Sequence, residues 1–97
     1  MGKPACRLGD IHSGHGCFPP TKAISGSGNV IINGKPALRV GDSFVPHGCP
    51  KIPPHGVNAG TGSSSVFTNS KPAVRIGDKT ACGATMVVGS GNVLIGG

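Results

Sequence analysis

The sequence has no tryptophan and no tyrosine, only three phenylalanines, and only three acidic residues among 97. Each scarcity closes off a class of function. So few aromatics, with no run of Lys and Arg, leave no stacking platform or basic groove for nucleic acid, although the formal charge is +6. No stretch approaches the roughly 18 apolar residues of a membrane-spanning helix. The N-terminal MGKPACRLGD has no apolar signal segment, so the chain is expected to be made in the cytosol and to leave, if it leaves, without a signal peptide. Helix is excluded as a main element, because no window of about 11 residues both lacks Gly and Pro and carries a 3.6-residue apolar period.

What is present is repetition. KPACRLGD at 3–10, KPALRVGD at 35–42 and KPAVRIGD at 71–78 are one octapeptide that varies only at its fourth and sixth letters, and only among apolar residues. A second segment recurs as GSGNVIING at 26–34, GSSSVFTNS at 62–70 and GSGNVLIGG at 89–97. Its apolar groups NVIIN, SVFTN and NVLIG read as short strands beside turn residues, in an all-β fold. In the two internal copies the octapeptide follows the GSxxV segment directly. The first octapeptide has no such segment before it, and the last GSxxV segment has no octapeptide after it. The simplest repair is spatial: the C-terminal segment lies against the N-terminal octapeptide, and three units close into a pseudo-three-fold ring with adjacent termini and no free strand edge. At this size one domain, residues 1–97, is expected, without an extension domain.

Inside the octapeptide, Pro presets φ as a strand begins, alternate side chains go to opposite faces, and Gly-Asp makes a turn. Cys6 holds the slot of Leu38 and Val74 and reads as a small core residue. Asp10, Asp42 and Asp78 each stand three residues after an Arg, where an Arg–Asp bridge or an Asp-turn would satisfy them. With every acid so placed and no tyrosine, acid–base chemistry would rest on histidine alone, so the chain is not expected to be an enzyme.

The loops 11–25, 43–61 and 79–88 hold every histidine and three of the four cysteines, and the symmetry places all three loops at one end. Counted from its Asp, the first loop has His15 at +5, the second His47 at +5 and the third Cys82 at +4, and the longest loop adds His55. Four N/S donors around one axis are the number a closed tetrahedral zinc site needs, with iron the alternative ion. His12 competes with His15 for the first place. Cys17 and Cys49, in matching HGC segments, read as further ligands, a disulfide or small apolar groups. Cytosolic synthesis disfavours the disulfide.

The three Pro-Ala-x-Arg segments at 4–7, 36–39 and 72–75, the paired GSxxV segments and the terminal Cys-Gly loop resemble the PAAR-repeat proteins over essentially the whole chain. The second Ala of that motif is replaced in each copy. The resemblance implies a conical β domain that caps the β-helical spike trimer of a contractile injection machine, one chain per trimer. That trimer is usually the VgrG spike of a type VI secretion system, and toxin effectors are carried by some members. A phage tail spike tip is the same reading in another machine. It also implies zinc near the vertex, which on this sequence falls on His15, His47, His55 and Cys82. Delivery outside the cell on the spike and transient contact with a target envelope follow from the same resemblance. A small zinc-stabilised binding module and a metalloenzyme with an open zinc position are the rival readings.

Overall fold

The computed structural model describes residues 2–49 and 52–97, and among them there is no helix. Among the described residues eight strands form four separate antiparallel pairs. Six of the strands have only two residues: β1 (Lys3–Pro4), β2 (Ile31–Ile32), β3 (Lys35–Pro36), β6 (Phe67–Thr68), β7 (Lys71–Pro72) and β8 (Leu94–Ile95). Two are longer, β4 (Ser43–Cys49) and β5 (Ile52–Asn58). In two units, the GSxxV segment folds back on the octapeptide that follows it, as β2 on β3 and β6 on β7. The third pair joins the chain ends: β8 lies on β1, with Lys3 opposite Ile95 and Pro4 opposite Leu94. The expected closure across the termini is therefore present.

The ring is held by backbone bonds that repeat in cyclic order. Cys6 donates to Val74, Val74 to Leu38, and Leu38 to Cys6, at 2.9–3.2 Å. A second cycle runs from Leu8 to Pro36, Val40 to Pro72 and Ile76 to Pro4, at 2.8–3.0 Å. Each octapeptide thus lies between two others, and both its faces are covered: Ala5, Cys6, Ala37, Leu38, Ala73 and Val74 are all buried. The Gly of each GSxxV segment packs directly on this backbone; a Cβ on Gly62 would sit 2.7 Å from the Ala73 carbonyl oxygen. The following Ser hydroxyl accepts from two backbone amides, as Ser27 does from Asn29 and Val30. In the β2–β3 turn Asn33 and Gly34 both have positive φ, which suits a type I′ hairpin.

The main core joins Cys6, Leu38 and Val74 on the axis to Ala23, Phe44, Val57, Ala59 and Met86 from the loops. Cys6 is a core residue, as its slot implied, and its thiol donates to the Val88 carbonyl. Burial, with the charges of Asp10 and Asp78 adding, pushes its pKa up to about 12. At pH 8 only about one Cys6 in ten thousand would be the reactive thiolate. Native chain treated with iodoacetamide at that pH should stay unmodified at Cys6 by peptide mass spectrometry, whereas guanidinium-unfolded chain should be labelled there within minutes. Rapid labelling of the native chain would contradict the buried placement.

The segment 43–61, expected as a loop, contains the longest strand pair of the fold. Phe44 pairs with Val57 and both are buried, while register shifts near Pro46 and Gly48 bend the ladder. The apolar pair supplies the burial, and the shifts absorb a proline that cannot donate to a ladder.

Candidate metal centre

Each unit delivers its loop to the same end, because the turn after each octapeptide is fixed by its own ion pair. The Asp10 carboxylate accepts from the Arg7 backbone amide and from two of its guanidinium nitrogens. Asp42 with Arg39 and Asp78 with Arg75 do the same. The Arg–Asp bridge is present in all three units, and the carboxylate bonds back to the amide of the Arg three residues before it rather than forward as in an Asp-turn.

At the loop end the ligand atoms of His15, His47, His55 and Cys82 all lie within 4.8 Å of one another. His47 is buried, and its Nδ1 lies 2.9 Å from the Pro19 carbonyl oxygen. A carbonyl can only accept, so Nδ1 carries the proton and Nε2 presents a bare lone pair. That Nε2 is 2.7 Å from the His55 Nε2 and 3.9 Å from the Cys82 Sγ. His55 is held below the ordinary histidine pKa by desolvation, with His47 and His15 nearby adding to the effect, which keeps its ring neutral and able to ligate. The His15 Nε2 is buried and has no hydrogen-bond partner. An unsatisfied buried nitrogen facing three other N/S donors is what a metal ligand looks like without its ion. Tetrahedral zinc with Zn–N near 2.0–2.1 Å would set these nitrogens roughly 3.3 Å apart, a small outward adjustment of the His47–His55 pair. The residues fit a four-coordinate ion.

The structure separates His12 from His15. His12 is fully buried, its Nε2 bonded to the Thr21 hydroxyl and its Nδ1 accepting from the Gly14 amide, so neither nitrogen is free. Burial first, then His47 and His15, lowers its pKa, so it stays neutral. Gly14 makes the local turn possible: its φ is +75°, and a Cβ there would stand 2.5 Å from the Phe18 carbonyl oxygen.

Three neighbours of the site were not visible in the spacing. The Phe18 ring lies 4.5–5.0 Å from the rings of His15, His47 and His55 and shields them from water. Pro19 orients His47 through its carbonyl. The Thr80 hydroxyl lies 3.3 Å from the Cys82 Sγ and accepts from the Ala84 amide, so its own proton is free for the sulfur.

Cys17 and Cys49 form a disulfide, with their Cα atoms 5.6 Å apart. This corrects the expectation from cytosolic synthesis. That argument weighed the compartment but not the geometry: bringing His15 beside His47 also brings together the two HGC segments they begin. The bond ties the first loop to β4 and removes both cysteines from the ligand set.

A protein-family model described as PAAR motif matches the chain over residues 1–53 and again over 14–88. No curated protein matches it.

Proposed function

Because the chain belongs to the PAAR-motif family, we propose that it is the non-catalytic tip of a contractile injection machine, capping the end of a three-chain β-helical spike of the VgrG type in a type VI secretion system. The observation that carries this reading is the pseudo-three-fold hairpin end. Ile31, Phe67 and Leu94 occupy the same position in the three units and are 54, 56 and 62% exposed. Large apolar side chains left in water at three-fold spacing suit a partner with three equivalent chains, each offering a strand end to pair and an apolar contact to cover.

At the opposite end, His15, His47, His55 and Cys82 would hold one zinc ion, which when bound ties three loops together and adds its binding free energy to folding. Four protein ligands leave no open coordination position, and the three carboxylates of the chain are already held by Arg7, Arg39 and Arg75. Both points favour a structural over a catalytic metal. Contraction would then press a rigid apex against the target envelope, after synthesis in the cytosol and delivery on the spike, alone or with toxin effectors.

The test is to mix the chain with a trimeric VgrG-type β-helix fragment and measure size-exclusion light scattering with metal analysis. A complex of one chain per trimer with one zinc is expected, and Phe67→Asp together with Leu94→Asp should abolish it while leaving the metal in place. A zinc-loaded monomer that ignores such fragments and binds DNA would replace this reading with that of a small binding module. Iron in place of zinc in the peak would reassign the ion alone.

A further inference from the structure

The first letter of the octapeptide opens a strand in each unit, but its side chain has no role in the fold described above. Lys3, Lys35 and Lys71 stand opposite Ile95, Ile32 and Thr68 across the three hairpins, and all three are exposed. They occupy one position of the pseudo-three-fold, on the same three hairpins as the exposed Ile31, Phe67 and Leu94 but on the alternate hairpin face, because those three pair with Pro36, Pro72 and Pro4. None of the chain's three aspartates is free to neutralise them. Each is bound by an arginine of its own unit, and the formal charge is +6. An ammonium group carried into a protein contact without a counter-charge is costly, and one met by a carboxylate speeds encounter and fixes orientation.

We infer that the surface which meets the hairpin end carries three carboxylates in a ring, one from each chain of the trimer, facing Lys3, Lys35 and Lys71. The inference rests on the proposed docking of this end to a three-chain spike. The three exposed apolar side chains on the same hairpins favour a protein partner over nucleic acid, whose phosphate backbone would leave them in water. The three-fold spacing favours a three-chain partner over a lipid surface, which has no symmetry to match.

The measurement is the association rate of the chain with a trimeric VgrG-type β-helix fragment, by biolayer interferometry from 20 to 500 mM NaCl. For the unaltered chain the rate should fall as salt rises. The triple variant Lys3→Glu, Lys35→Glu, Lys71→Glu should associate at least about tenfold more slowly at 20 mM NaCl and lose or reverse that salt dependence. Replacing the fragment's ring of carboxylates by lysines should restore the triple variant's rate and slow the unaltered chain. The substituted residues are exposed, and an unchanged melting curve checks that the variant is folded.

Equal rates and equal salt dependence for the two chains would overturn the ring while leaving the docking intact. A fragment that binds neither chain would remove the docking and the ring together. Salt-sensitive binding of the unaltered chain to phosphatidylglycerol vesicles, lost in the triple variant and accompanied by salt-insensitive spike binding, would transfer the lysines to a membrane role and overturn the inference.

Discussion

Stripping an ion held by His15, His47, His55 and Cys82 should lower the melting midpoint by roughly 16 to 32 °C. The size follows from linkage: an ion present at a thousandfold over its dissociation constant stabilises the native state by about 4 kcal/mol, and structural zinc in small peptides binds tightly enough to reach that excess at micromolar concentration. In a domain of about 100 residues each kcal/mol moves the midpoint by about 4–8 °C. The donors come from three parts of the chain, His15 from the first loop, His47 and His55 from the β4–β5 pair, and Cys82 from the third loop, so one ion would tie all three together.

Calorimetry before and after a strong chelator, with metal analysis, measures the effect. His15→Ala and Cys82→Ser should each retain well under one ion per chain. His12→Gln should keep the ion while melting lower, because His12 bonds Thr21 and Gly14 and is not part of the donor cluster. Metal lost on changing His12 and retained on changing His15 would reverse their assigned roles, and a chelator-insensitive midpoint in a metal-loaded chain would remove the metal from the stability of the fold.

The ring was legible because the octapeptide is nearly invariant and because each chain end lacks the segment that the other end has. The cluster was legible for the same reason: offsets of +5, +5 and +4 from Asp10, Asp42 and Asp78 put His15, His47 and Cys82 at one end before any distance was known. The choice between His12 and His15 was not legible. It depends on Thr21 and Gly14 using both nitrogens of His12, a contact that no spacing encodes. Nor was the β4–β5 pair, since Pro46, Gly48, Pro53 and Pro54 punctuate the segment as a loop would. The pair forms because Phe44 and Val57 reach the core together, which outweighs weak local propensity. Cys17 and Cys49 were left open between three fates, and only the convergence of the loops decides for the disulfide.

The second large effect concerns the ion pairs that set the turns. Replacing Asp78 by Asn should cost about 3–5 kcal/mol, because removing one partner of a buried pair leaves the other charge uncompensated. Arg75 and Asp78 have side-chain exposures of only 6 and 8%. The carboxylate accepts from the Arg75 amide, its Nε and its terminal nitrogen, and from the Thr61 hydroxyl. An amide of the same shape would turn an NH2 donor toward groups that are themselves donors.

The three units allow an internal ranking. Arg39 is the most exposed of the arginines at 16%, so Asp42→Asn should cost least, and Asp10→Asn should resemble Asp78→Asn. Burial raises the pKa of Asp42, but the hydrogen bonds and charge of Arg39, with the Ser25 hydroxyl, outweigh it and hold the folded carboxyl below its ordinary value. The sign follows: its contribution is fully present above the unfolded carboxylate range near 3.9 and is lost as pH falls through the lower folded value. Urea midpoints at pH 7 and pH 3 therefore separate two mechanisms. If the pairs set the turns, the unaltered chain should lose stability at pH 3 while Asp42→Asn loses less, and the two should converge. Equal losses in both chains would assign the acid sensitivity to other groups and reduce the three aspartates to turn formers whose charge is incidental.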